Sequence, residues 1–164
     1  MKPRVGVSAC LLGRAVRYDG SSKPHAWIME ELARRAELVP LCPELEAGLG
    51  VPRPPVRLVR VGRAVRARGV EEPELDVTER LNAWNRESEP LLASLEALVL
   101  KSRSPSCGAG SVPLFSNAGE KVERTSGLFA AFAQQRFPNL WVVEESALER
   151  EAERQALLRR LGLQ

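Results

Sequence analysis

The chain has 164 residues, enough for one domain with a real core and too few for two comfortable ones. Its hydrophobic content of 44% and charged content of 27% are those of an ordinary soluble protein. No stretch approaches the ~20 apolar residues of a membrane span, and the first residues lack an apolar run of signal-peptide length. A single cytoplasmic domain over residues 1–164 is the expectation. The net charge of +3 is spread along the chain. Its densest basic stretch, Arg57, Arg60, Arg63, Arg66 and Arg68, has no interleaved aromatics. That favours a solvated, arginine-rich hairpin and makes a nucleic-acid partner a weak expectation.

In chain order, "RVGVSAC" from Arg4 reads as a short strand ending in a turn region around Gly13 and Asp19-Gly20. Pro24 to Ala36 has a helical pattern with Trp27, Ile28 and Leu32 on one face. "ELVPLCPE" is a second strand, stopped by Pro43. Residues 56–68 alternate apolar and basic residues about Gly62, which predicts a hairpin at the sheet edge or an excursion from it. The longest helical signal follows; Asp76 and Glu79 have capping-box spacing, and Pro90 should divide the helix. "ALVL" is a third strand running into "KSRSPSCG", and residues 108–124 read as a loop rich in Gly, Ser and Asn. A helix over "GLFAAFAQQRF" opened by Thr125 or Ser126, a strand "NLWVVE" and a final helix capped by Ser146 and Glu149 complete the chain. Alternating strands and helices predict a three-layer α/β fold, mainly parallel, with helices on both faces.

In such a sheet the loops beyond the carboxyl ends of the strands form the ligand crevice. The three cysteines fall in equivalent places: Cys10 and Cys42 just past the first two strands, Cys107 in the loop after the third. If those strands are parallel neighbours, three thiols converge at one end of the sheet. Each could be no more than a small buried hydrophobe. A structural zinc site wants four ligands, often in close Cys-x-x-Cys pairs, and the sequence has no such pair and one histidine, His25. Arg14 and Arg17 follow Cys10 at the wrong spacing for a phosphatase-like thiolate loop, and no Walker or Gly-x-Gly-x-x-Gly loop occurs. An iron–sulfur cluster is the remaining metal reading, since three thiolates would leave one iron open to a soft ligand.

The segments "VSACLLGRAVRYDGSSK", "VPLCPELEAGLGVPRPP", "DVT" and "LKSRSPSCG" resemble, in the same order, the motifs of the DUF523 family, whose characterised members include thiouracil desulfidases. The likeness runs from Val5 to about Glu144. It implies a [4Fe-4S] cluster held by Cys10, Cys42 and Cys107 with one open iron, and a thiolated pyrimidine or similar small thiocarbonyl compound as substrate. It implies that water replaces sulfur on carbon without net redox change. It also implicates Glu44 and a serine of "SRSPSC", with Ser104 the first choice, as catalytic groups. Arg17, Tyr18, Asp19, Lys23, Ser102 and Ser106 are the residues expected to bind substrate. A carboxylate in a partly desolvated crevice can manage the protons such a hydrolysis needs. Serines and backbone N–H groups can serve both cluster sulfurs and a polar heterocycle.

Two other readings compete. A non-catalytic protein that stores, senses or delivers a cluster or sulfur would need the cysteines and not Glu44 or Ser104. An RNA-binding module would rest on the arginine stripe alone and would bind with steep salt dependence.

Overall fold

A computed structural model describes residues 1–163. The strand called for at the N-terminus, β1 (Arg4–Ser8), lies between β2 (Glu37–Leu41) and β5 (Ala97–Leu100), and β8 (Trp141–Glu144) flanks β5, giving the order β2-β1-β5-β8 with every pair parallel. The all-apolar β5 is buried along its whole length, as a central parallel strand covered on both faces must be. Alternate residues point opposite ways. Val5, Val7, Ala97 and Val99 pack against Ile28, Leu32, Leu148 and Leu157. Leu98 and Leu100 pack on the other side against Leu92, Phe129, Ala130 and Ala133.

The helices that cover these faces lie near the predicted positions, but two of their starts differ: Ser146 and Glu149 fall in a 3-10 turn before the final helix, which begins at Glu151, and Gly127, not Thr125 or Ser126, precedes the helix that begins at Leu128. The first spans residues 26–35, with a π-helical turn at Ile28–Leu32 leading into α1 (Ala33–Arg35). Together with α6 (Glu151–Arg160) it supplies one outer layer. Pro43 opens the short α2 (Pro43–Glu46), a favoured place for a residue with no N–H to lose. Pro90 does divide the long helix, into α3 (Thr78–Glu87) and α4 (Glu89–Ala93). The expected capping box is only half formed. Asp76 accepts from the Thr78 N–H at 3.0 Å, but Glu79 is drawn away to Arg66 at 2.8 Å. With α5 (Leu128–Arg136), α4 covers the second face of the parallel sheet, and Trp84 of α3 meets Phe129 with ring centroids 5.4 Å apart.

Residues 56–68 do form the hairpin, β3 (Val56–Val61) and β4 (Ala64–Gly69), and it takes the second of its two expected places, away from the parallel sheet. It belongs to a second four-stranded sheet, order β4-β3-β6-β7. Residues 108–124, expected to be loop, supply the other half: β6 (Val112–Ser116), parallel to β3, and β7 (Lys121–Thr125), antiparallel to β6. The pattern that would reveal β7 is missing because all of Lys-Val-Glu-Arg-Thr but its last residue is exposed, so nothing alternates. Four of the five arginines of the hairpin are engaged rather than freely solvated, and Arg63 at its turn is exposed. Arg66 and Arg68 pair with Asp76, Arg60 pairs with Glu123, and Arg57 stacks on the Phe115 ring at 4.4 Å. A small core of Leu58, Ala67, Val77, Leu81, Val112 and Leu114 joins this sheet to α3.

Candidate active site

The register of the parallel sheet brings the strand ends to one level. Ser8 faces Leu41 across β1 and β2, and Leu100 faces Glu144 across β5 and β8. The chain leaving β1, β2 and β5 carries a cysteine in each case, and the chain leaving β8 carries none. Cys10 lies in a 3-10 turn, Ala9–Leu12, directly after β1. Cys42 precedes α2, and Cys107 lies in the loop after β5. All three line one cavity of about 380 Å³, and all three are free thiols.

Burial raises the pKa of each thiol and is the largest influence on all three. Lys101 and Arg17 oppose it at Cys10, and the Leu45 N–H and then Arg53 oppose it at Cys42. The Ser8 hydroxyl opposes it at Cys107, while Cys42 and Cys10 push that thiol further up. Among the described residues no group of three or more His, Cys, Asp or Glu side chains is placed to hold a single metal ion.

The cysteine loop is held from both sides by β8. Glu145 accepts from the Ser102 N–H at 2.6 Å and from its hydroxyl at 3.0 Å, and pairs with Lys101 at 3.4 Å. Glu144 accepts from the Ala109 N–H at 2.8 Å and from the Ser111 hydroxyl. Between the clamps, Ser104 Oγ accepts from the N–H groups of Ser106 at 3.2 Å and Cys107 at 3.0 Å, a side-chain-closed turn of the kind serine favours. The carbonyls of Pro105 and Ser106 in turn accept from Leu128, Phe129 and Ala130, satisfying the unpaired first N–H groups of α5. That docking leaves no room at Gly127, where a Cβ would lie 2.4 Å from the Ser106 carbonyl carbon.

Glu44 enters the cavity from the first turn of α2. Its Oε1 accepts from Arg53 Nε at 2.9 Å, and its Oε2 accepts from the buried Ser106 hydroxyl at 3.2 Å. The wall is otherwise rich in cations: Arg17, Arg53, Lys101 and Arg103 line it beside this one carboxylate.

Of the residues singled out in the sequence, Cys10, Cys42, Cys107, Glu44, Ser104, Ser102, Ser106, Arg17 and Tyr18 all line the cavity. Asp19 and Lys23 do not. Asp19 is exposed and closes a turn by accepting from the Ser21 N–H at 3.0 Å and hydroxyl at 2.6 Å. Lys23 is exposed too, and its backbone N–H donates to the Cys10 carbonyl at 2.9 Å. His25 pairs with Glu149 at 3.1 Å. Sequence reasoning missed Arg53, Ser8 and the Glu144–Glu145 clamp. An arginine set between prolines in "VPRPP" was a usable signal for Arg53, since such a rigid stretch rarely spends a guanidinium on solvent. Nothing local marks the two glutamates, which matter only because β8 neighbours β5.

The family model described as 2-thiouracil desulfurase matches residues 5–145. A protein of Bacillus subtilis (strain 168), the uncharacterized protein YbbK, is 31% identical over 140 residues, covering 79% of this chain and 88% of its own length. A solved structure described as the [4Fe-4S]-dependent thiouracil desulfidase TudS (DUF523Vcz) superposes with a TM-score of 0.71 at 32% identity, covering 95% of this chain and 99% of its own. Among the described residues no helix is long and apolar enough to cross a membrane.

Proposed function

The chain belongs to the 2-thiouracil desulfurase family, and from that premise we propose that it hydrolyses the carbon–sulfur bond of a thiolated pyrimidine, such as 2-thiouracil, or of a related small thiocarbonyl compound. Water supplies the oxygen, sulfide departs, and no electrons are gained or lost. The observation that carries this reading is the meeting of Cys10, Cys42 and Cys107 with Glu44 in one cavity at the ends of adjacent parallel strands.

Cys10, Cys42 and Cys107 would hold a [4Fe-4S] cluster. Their thiols fit the group: they are free, they converge, and a bound cation would displace the protons that burial otherwise keeps on them. Held by three thiolates, such a cluster supplies one iron without a protein ligand, a soft Lewis acid matched to thiocarbonyl sulfur.

The remaining work falls to side chains on the cavity wall. Glu44 Oε2 takes a proton from water as its oxygen adds to the thiocarbonyl carbon, and returns a proton as the carbon–sulfur bond breaks. The Ser106 hydroxyl orients that oxygen. Ser104 accepts two backbone N–H bonds at its oxygen, which leaves its own O–H to donate to the heterocycle. Arg17 and Tyr18 form the outer wall where a polar ring would enter, and Tyr18 is 41% exposed there.

The test is anaerobic reconstitution with iron and sulfide, followed by iron analysis, a visible spectrum and a sulfide-release assay with 2- and 4-thiouracil. The wild-type chain takes up iron and releases sulfide. Cys107→Ala loses both, and Glu44→Gln keeps the cluster absorbance while sulfide release falls about 100-fold or more. A wild-type chain that binds no iron, or an iron-loaded chain that leaves every thiouracil intact, overturns the proposal.

A further inference from the structure

Arg53 is among the most deeply buried charged side chains in the molecule, with its side chain only 5% exposed. A guanidinium carries five donors in a rigid plane, and burying it is costly unless acceptors meet that plane. Here they do. Nε donates to Glu44 Oε1 at 2.9 Å, Nη1 to the Gly50 carbonyl at 2.8 Å, and Nη2 to the Val16 carbonyl at 2.8 Å. The backbone N–H of the same residue donates to the Tyr18 carbonyl at 2.8 Å. Two separate pieces of the cavity wall, α2 through Glu44 and the segment 16–18 that presents Arg17 and Tyr18, are thereby joined to each other and to the turn at Gly50 outside the cavity.

A pair made only for stability could be exchanged for apolar side chains at little loss. This pair does something an apolar pair could not. The two oxygens of Glu44 are given different partners, Oε1 to Arg53 and Oε2 to Ser106. We infer that Arg53 is a positioning residue for the desulfuration, committing Oε1 of Glu44 so that Oε2 faces the reacting water, and fixing that oxygen relative to the substrate-side segment 16–18. The inference rests on the reading of Glu44 as the proton acceptor. Lysine cannot substitute fully, because a point-like ammonium has no fork with which to hold Glu44, Val16 and Gly50 in one plane.

The test compares Arg53→Lys, Arg53→Gln, Glu44→Gln and the Glu44→Gln/Arg53→Gln double variant in the full chain, reconstituted without oxygen. Iron content, visible spectrum and melting temperature establish that each variant is folded and loaded. Displacement of Glu44 by as little as an ångström lowers kcat about 100-fold, with KM for 2-thiouracil moving much less. Arg53→Lys recovers part of that loss. The double variant is no slower than Glu44→Gln alone, since a residue that acts through Glu44 has nothing left to act on. Independently of activity, amide exchange over residues 14–21 of the apo chain speeds up in the Arg53 variants and not in Glu44→Gln. Should Arg53→Gln fail to fold, the Arg53→Lys kinetics and exchange decide. Arg53 variants that keep full kcat while Glu44→Gln falls to a residual rate overturn the inference and leave the proposed reaction standing, as does a double variant whose two losses multiply. Sulfide release at the wild-type rate in Glu44→Gln instead overturns the reading on which the inference rests.

Discussion

Ser102, Ser104 and Ser106 share the loop after β5, and their hydrogen bonds give them separable duties. Ser106 is buried and donates to Glu44 Oε2, so in the proposed reaction it would act on the proton acceptor. Ser104 accepts from the Cys107 N–H, so it also shapes the backbone that carries a proposed ligand. Ser102 is committed to Glu145. A hydrogen bond to a charged group is worth about 1.5–3 kcal/mol, or about 10- to 100-fold in rate if felt in the transition state. Ser106→Ala is therefore expected to lower kcat within that range while the iron content stays at the wild-type level. Ser104→Ala leaves two N–H groups of the turn without their acceptor, and is expected to lower iron retention along with activity. Iron per chain and sulfide release, measured on the same reconstituted samples, separate the two. Equal iron loss in both variants would mean that Ser106 too is a framework residue. The sequence already marked this loop as unable to pack a core, but it could not rank the serines. Their roles depend on where Glu44 and α5 come to lie.

At the scale of elements, the cysteine loop is anchored less by its own residues than by α5 and β8. The Pro105 and Ser106 carbonyls satisfy the first N–H groups of α5, and the chain can come that close only because position 127 has no Cβ. Gly127→Ala places a methyl group 2.4 Å from a backbone carbon, which cannot move aside as a flexible side chain would. Overpacking of this kind costs about 1–3 kcal/mol. The loop must lift off the helix, carrying Ser106 and Cys107 with it. The expected result is a lower melting temperature of the apo chain together with poor iron uptake; an alanine variant that loads and turns over normally would show that the loop does not depend on this docking. The parallel core was legible because β1, β2 and β5 are apolar runs with clear stops, and the position of each cysteine after its strand then predicted their convergence. Of the second sheet only the β3–β4 hairpin was legible. Its β7 is exposed on nearly every residue and its β6 carries Pro113, so neither shows a period-2 pattern; they pair because β3 offers an edge, which is information from far along the chain. Arg53 and the Glu144–Glu145 clamp escaped for the same reason, being meaningful only through partners distant in sequence.

For the molecule as a whole, the two sheets must stay in register for the cavity between their loops to keep its shape, and Asp76 is the charged centre of the second sheet's attachment. Burial works against its ionisation, but bonds from Arg66 and Thr78 outweigh that and hold the carboxyl well below its ordinary value near 3.8. The same side chain is bonded by Arg68, and the Thr78 hydroxyl that follows accepts from the buried Ala67 N–H at 2.8 Å, so β4 and the start of α3 are fixed together. A carboxyl with a depressed pKa in the folded state is protonated more readily in the unfolded one, so the unfolded chain binds the extra proton as pH falls. The stability that Asp76 contributes is thus fully present above the ordinary carboxylate value and drains away as pH drops below it. Asp76→Asn removes the charge at every pH. At neutral pH the substitution is expected to lower apo stability by about 1 kcal/mol, the upper end for a partly exposed pair, or about 2–4 °C in melting temperature. The wild-type advantage should then shrink steadily as denaturation is repeated at pH values below 4. Urea melts of the two apo chains across that range read the difference directly, without interference from acid lability of a bound cluster. A gap that stayed constant into strong acid would mean that shape at position 76, and not its charge, holds the second sheet to α3.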